Sequence, residues 1–303
     1  MESPGRTPSA GWRVRDLVRA MRPHQWVKNI LLFLPVVAAH RFDAAALLPV
    51  LWGIVAFSAA ASSIYIVNDL LDLDADRQHP KKCTRPFAAG RVPIGVGVAT
   101  SLGLAALALG LALSINGGFA ALIVVYVALS VAYSFKLKRM RWVDIATLAG
   151  LYTLRVVAGA LAAQVMVTGY LLVFIYPVFI TLGSVKRLTE LTLATSDARL
   201  PGRGYGRGDR GDLLNVAGLG TAIALLAFFL YSFTAHALSL YPTQWLMWLT
   251  LLPIAGWLIR MVWLGYAGKQ DYDPIVFAMR DRYGLSLLCV TLTIMFYAAG
   301  LIV

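Results

Sequence analysis

The stretch ALLPVLWGIVAFSAAASSIYIV (46–67), followed without a break by NDLLDLDAD (68–76), decides the fold. The first part carries no charge and is long enough to cross the apolar core of a bilayer as one helix, which takes about 20 residues. The second part packs four aspartates into nine residues at the end of that helix. The remainder of the chain repeats the first property. Of its 303 residues 59% are hydrophobic and only 14% are charged, whereas a soluble domain carries roughly 25% charge. The mean hydropathy is +0.71. Too little charge is present to cover a soluble globule, and an integral membrane protein is expected.

Nine apolar stretches can be read as spans: 27–44, 46–67, 93–113, 117–135, 143–163, 168–185, 212–237, 243–264 and 283–302. An open sheet cannot satisfy its backbone in lipid, and the alternation of a barrel strand is absent. The expected fold is all-α, a polytopic nine-helix bundle, with a basic arm over 1–26 and a transmembrane domain over 27–303. The early arginines, with no apolar run among them, speak against a cleaved signal peptide. Cys83 and Cys289 are too far apart in sequence to suggest a disulfide framework.

The basic residues orient the bundle. Of the 27 Lys and Arg, all but three fall in the arm or in the 2–3, 4–5, 6–7 and 8–9 loops, and only Arg41 lies on the opposite side. By the positive-inside rule the N-terminus and these loops are cytoplasmic and the C-terminus is outside. The net charge of +12 is therefore a matter of topology, and nucleic acid is not an expected partner. Apart from Glu2, Asp16 and Asp43, the acids share those inner loops. Loops that mix carboxylates with clustered cations suit a metal and a phosphate. A lipid carrier or transporter would more often place ionisable groups near the midplane.

If the second helix continues through 68–76, Asp69, Asp72 and Asp76 fall within about a 60° arc. Such a face repels itself unless a divalent cation neutralises it. Mg²⁺ takes oxygen ligands and usually completes its shell with substrate phosphate. Asn68 adds an amide. In HPKKCTRPFAAGRV (79–92), Lys82 and Arg85 are candidate phosphate partners. A second acid, Asp144, opens span 5 within SFKLKRMRWVDI (134–145), beside Lys138. In VKRLTEL (185–191), Lys186 and Glu190 read either as an i, i+4 salt bridge or as a phosphate-binding lysine and a base, with Arg187 between them. Arg155, in mid-span, needs a bound phosphate or an inward carboxylate as counter-ion. RPHQWVKN (22–29) sets Gln25, Trp26 and Lys28 at the membrane surface. PGRGYGRGDRGD (201–212) reads as a flap over the inner mouth or as a passive linker.

The NDxxDxxxD motif after span 2, the acid after YSFKLK (133–138) and the nine spans resemble the UbiA superfamily of intramembrane prenyltransferases, over essentially the whole chain. Within it, RPHQWVKN, the HP-KxxRP run, KRLTEL and FAMRDR (277–282) are similar to the decaprenyl-phosphate phosphoribosyltransferase branch. The resemblance implies a Mg²⁺-dependent transferase of the bacterial inner membrane, moving phosphoribose from phosphoribosyl pyrophosphate (PRPP) to a polyprenyl phosphate in cell-envelope synthesis. It implies Asp69, Asp72 and Asp76 as metal and catalytic residues, with Asp144 in the second motif. Asn68, Gln25, Lys28, Lys82, Arg85, Lys138, Arg155, Lys186, Arg187 and Glu190 would bind substrate. The rival expectation is a prenyl chain transferred to an aromatic or other small acceptor. A single Asp in the second motif, where such enzymes carry a fuller DxxxD, favours the phosphoribosyl branch. Whether copies of the chain associate is left open.

Overall fold

A computed structural model describes residues 12–194, 199, 203–270 and 273–302. Among them the secondary structure is helical throughout. A short amphipathic helix, α1 (Val14–Met21), lays Ala20, Leu17 and Met21 on Ile66, Phe87 and Val92. The chain then turns through Arg22, in the left-handed region at φ 54°, into a 3₁₀ segment Pro23–Phe33 and α2 (Leu34–Ala38). The spans α3 (Ala44–Leu71), α5 (Ile94–Ile115), α6 (Gly117–Phe135), α7 (Val143–Ala163), α8 (Gly169–Thr192), α9 (Arg210–Tyr231) and α11 (Gln244–Tyr266) follow. The short helices α4 (Leu73–Gln78), α10 (Ala235–Leu240) and α12 (Pro274–Ala278) lie between spans, and α13 (Arg282–Ala298) comes last.

The seven long helices are each long and apolar enough to cross a membrane. The first and last expected spans take another form. Pro35 has no N–H to send to Leu31, and the Leu34 N–H bonds the Leu31 carbonyl instead, so the 27–44 stretch is a broken segment rather than one helix. The 283–302 stretch forms a helix of 17 residues, and Gly300 at φ 68° closes it. The sixth span is longer than expected, so that Lys186, Arg187 and Glu190 lie on the helix itself.

Two apolar cores meet on α7. One gathers Phe57, Phe119 and Tyr126 from α3 and α6 with Ala158 and Ala162 of α7. The other gathers Tyr152 and Val156 of α7 with Phe179, Leu258 and Met261 from α8 and α11. The 3₁₀ segment reaches α7 through a glycine. A Cβ on Gly159 would stand 1.9 Å from the Leu32 carbonyl oxygen, inside any van der Waals distance. That close approach sets the depth of Lys28 and Asn29. Overpacking costs about 1–3 kcal/mol where neighbours can yield, and here the neighbour is backbone. Gly159→Val should lower the detergent Tm by at least about 5 °C. Gly150→Ala on the same helix, where the nearest atom is 3.9 Å away, should not. Equal Tm values for the two variants would contradict the packing.

Candidate functional site

Three carboxylate-centred clusters form at the end of the bundle that carries the basic loops. The first joins α3, α4 and the following loop. The helix does not continue through NDLLDLDAD: α3 stops at Leu71, and Asp72 sits at the break at φ −90° and ψ 10°. The single acidic face expected from the spacing is thereby undone. Asp69 and Asp76 turn inward, each 2% exposed, while Asp72 stays exposed at the rim. The Arg85 Nη1 lies between the two buried acids, 3.1 Å from Asp69 Oδ1 and 2.6 Å from Asp76 Oδ2. Arg22 Nη2 donates to Asp69 Oδ1 at 2.5 Å, and Lys82 Nζ stands 3.8 Å from Asp76. Asn68 is half-buried and receives the Asp72 N–H on its carbonyl at 2.9 Å. Gln25 lines the same cavity as Arg22 and Arg85.

Among the described residues no group of three or more His, Cys, Asp or Glu side chains is close enough to hold a metal by itself. The donors of this cluster nevertheless fit Mg²⁺ in kind. They are carboxylate oxygens converging on a single positive centre, the Arg85 nitrogen, and Mg²⁺ characteristically uses one or two carboxylates and takes its other ligands from water and phosphate.

The second cluster centres on Asp144, fully buried at the start of α7. Arg187 Nε donates to it at 2.5 Å, the Tyr133 hydroxyl at 2.8 Å and Arg203 at 3.3 Å. Arg187 Nη1 donates to both oxygens of Glu190, at 2.7 and 2.6 Å, and Nη2 to the Tyr133 hydroxyl and Asp144 Oδ1, each at 3.0 Å. Glu190 thus pairs with Arg187 at i, i+3 and not with Lys186 at i, i+4. Arg187 is 0% exposed and its guanidinium is already shared between two carboxylates.

The described part of the Gly/Arg-rich loop is no slack linker. Tyr205 is buried, and its hydroxyl accepts the N–H of Trp142, a residue held at φ 68°, at 2.8 Å. Burial pushes the Tyr205 hydroxyl up to about 12, so it stays protonated. Arg141 reaches across to Asp209 and Asp212. Pro201 and Gly202 of the same motif lie outside the described residues. Lys138 feels the charges of both Asp72 and Arg203. Burial lowers its pKa, Asp72 opposes this, and Arg203, Arg139 and Lys82 add to the lowering.

The third cluster has no counterpart in the sequence reading. Asp273, at the N-cap of α12, accepts the Tyr152 hydroxyl on both oxygens at 2.7 and 2.6 Å. Lys28 Nζ is 3.0 Å from it and Lys186 Nζ 3.4 Å. Burial would push the Asp273 carboxyl up, but the two ammonium groups and the Tyr152 hydrogen bond outweigh burial and hold it below the usual carboxylate range. Its contribution to stability is complete at neutral pH and is lost only as pH falls through that depressed value. Only the Asp-Pro pair 273–274, a helix-start signal, marks this residue in the sequence.

Among the described residues no carboxylate hydrogen-bonds to Arg155. It is 5% exposed and bonds the Asn29 amide oxygen at 3.1 Å, the Leu151 carbonyl at 2.7 Å and the Tyr126 hydroxyl at 2.8 Å. The rings of Tyr126 and Tyr152 flank it at 4.8 and 5.7 Å. Trp26 is a tether and not only a belt residue, since its Nε1 donates to Ser62 Oγ at 3.0 Å.

Breaking a buried ion pair from one side typically costs about 3–5 kcal/mol. Arg187→Ala should therefore lower the Tm sharply, whereas Lys186→Ala should shift it little, because Asp273 keeps Lys28 and Tyr152. Comparable Tm values for these two variants would contradict the assignment of Arg187 as a buried tie.

Comparison with known proteins agrees with this architecture. The model of the UbiA prenyltransferase family matches residues 30–283. Nodulation protein NoeC of Azorhizobium caulinodans is 35% identical over 89% of this chain and 88% of its own length. An uncharacterized protein, y4nM, of Sinorhizobium fredii is 34% identical over 91% of this chain, which spans about half (54%) of that longer protein. Decaprenyl-phosphate phosphoribosyltransferase of Corynebacterium glutamicum is 37% identical over 58% of this chain and 55% of its own length. The structure of a UbiA homolog from Archaeoglobus fulgidus bound to GPP and Mg²⁺ superposes with a TM-score of 0.65 at 16% identity, covering 94% of this chain and 99% of that one. With its acidic motifs at the ends of α3 and α6–α7 and a family match running from the 3₁₀ segment into α13, the chain belongs to the UbiA prenyltransferase family.

Proposed function

We propose that this membrane transferase moves phosphoribose from PRPP to a polyprenyl phosphate, releasing diphosphate. The observation that carries the reading is a surplus of positive charge inside the bundle. Lys28 and Lys186 share one carboxylate, Asp273, while the hydrogen bonds of Arg155 go to neutral groups, Asn29, Leu151 and Tyr126. Charges in such surroundings are costly unless an anion joins them. The Asp69–Asp76 cluster is separately supplied with Arg22, Arg85 and Lys82. A prenyl diphosphate brings one anionic end, whereas a phosphorylated sugar donor and a lipid phosphate bring three between them.

In this reading Asp69 and Asp76, with Asp72 at the rim, would hold Mg²⁺, which when bound would supply charge neutralisation for the leaving diphosphate. Lys82, Arg85 and Lys138 hold the donor's diphosphate oxygens. Lys28 and Lys186, aligned by Asp273, hold the lipid phosphate. An oxygen of that phosphate attacks the ribose C1 as the C1–O bond to diphosphate breaks. A phosphate monoester, with a second pKa of about 6, is already mostly ionised at pH 7, so no general base is needed. Asp144, Arg187 and Glu190 fix the inner ends of α7 and α8. Prenyl transfer to a small acceptor is the second reading, favoured by the solved relatives that carry GPP or DMAPP with Mg²⁺.

The purified protein should transfer label from radiolabelled PRPP to polyprenyl phosphate in Mg²⁺. Asp72→Asn should cost more than about tenfold, or 1.4 kcal/mol, at an unchanged Tm, because Asp72 is exposed and lies outside the ion pairs. Transfer from prenyl diphosphate alone would favour the second reading. Orientation is tested separately in a background with Cys83 and Cys289 replaced by Ser. Asp74→Cys, at a side chain 91% exposed, should react with an impermeant thiol reagent only from the cytoplasm. Ser239→Cys should react only from outside, and the reverse labelling would overturn the topology.

A further inference from the structure

A cavity of about 490 Å³ opens beside Asp69, between α1 and the loop that follows α4. Arg19, Arg22, Arg85 and Arg91 line it with Gln25, against one carboxylate, that of Asp69. Its size falls in the range of small-molecule sites, about 300–1,000 Å³. Arg22 and Arg85 are bound to Asp69. Arg91 is tethered to Asp16 at 3.5 Å and to the Thr84 carbonyl, and Arg19 is exposed.

The backbone supports a built site. Arg22 occupies the left-handed region at φ 54°, a conformation disfavoured for a non-glycine residue. That turn sets its guanidinium over the Tyr65 ring, at 5.0 Å, and onto Asp69. Positive-inside decoration needs cations near the membrane surface, but it does not need four guanidinium groups converging on one cavity.

We propose that this cavity binds the phosphate at the end of the sugar donor remote from its leaving group, the 5-phosphate of a phosphoribosyl donor. The proposal rests on the phosphoribosyl reading above and refines it. The leaving diphosphate lies at the Asp69 end, and the ribose spans from there to Arg19 and Arg91, which meet the terminal phosphate as charge-assisted donors. A prenyl diphosphate has hydrocarbon at that position and no use for the arginines. The same chemistry could meet an anionic phospholipid headgroup, since α1 exposes Trp12, Val14 and Val18 beside its arginines. Proximity to Asp69 favours the donor.

The test uses full-length protein in nanodiscs of neutral phosphatidylcholine, with Arg19→Gln, Arg91→Gln and the double variant checked for unchanged Tm. Ribose 5-phosphate, which carries the terminal phosphate without the diphosphate, is the probe. It should compete with PRPP in the wild type and lose that inhibition in the double variant. The KM for PRPP should rise about tenfold or more, and the KM for polyprenyl phosphate should stay within twofold. If wild-type protein uses PRPP but the double variant keeps both its KM and the ribose 5-phosphate inhibition, the cavity assignment is overturned and the phosphoribosyl reading stands. If wild-type protein neither binds nor uses PRPP, both fall. If the variants change only the response to added phosphatidylglycerol, the cavity serves a lipid headgroup and the proposal is wrong.

Discussion

A charge buried at the end of this bundle that carries the basic loops must find its opposite, and the Asp273 carboxylate shows what that constraint builds. It is the shared partner of Lys28 from the 3₁₀ segment, Tyr152 from α7 and Lys186 from α8. A single loop residue thereby ties the first membrane segment to the middle of the fold and to the last inner loop. Asp144 does the same for α6, α7, α8 and the 203–206 loop, and Asp69 for the arm, α3 and the loop after α4. The acids are distributed so that each basic loop, in its described part, is anchored by at least one. The cations outnumber them, and the excess gathers where an anionic substrate would sit.

This division of labour separates residues that look alike in the sequence. Lys186 and Arg187 are neighbours, yet α8 turns one toward Asp273 and buries the other between Asp144 and Glu190. A planar guanidinium can satisfy two carboxylates at once, which suits Arg187 to a structural tie. An ammonium group on a flexible stem can leave Asp273 for a phosphate at little cost. The aspartates of NDLLDLDAD divide in the same way: Asp69 and Asp76 are held inside by arginines, and Asp72 and Asp74 are left exposed.

The membrane fold was legible in apolar run length. The acidic motifs were legible because four aspartates at the end of a span are hard to explain otherwise. What was not legible depended on breaks in regular structure. Periodicity assumes that the helix continues past Leu71, so it could not show Asp72 swinging away from Asp69 and Asp76. Nor could it show the first span dividing into a 3₁₀ segment and a short helix, or a glycine-rich loop being pinned by one buried tyrosine. Asp273 was missed because its partners are far away in the chain, 245 residues in the case of Lys28. Arg155 was visible as a buried charge, but its neutral cage of Asn29, Tyr126 and the Leu151 carbonyl was not.

The proposed donor carries anionic groups at both ends. Titration calorimetry in Mg²⁺ tests directly whether the site engages both, by comparing PRPP with inorganic diphosphate and with ribose 5-phosphate. Each fragment would engage one end of the site. PRPP is predicted to bind at least about tenfold more tightly than either fragment, because the second anionic end adds charge-assisted hydrogen bonds. Affinity for PRPP no greater than for diphosphate alone, together with tight binding of geranyl diphosphate, would contradict the account.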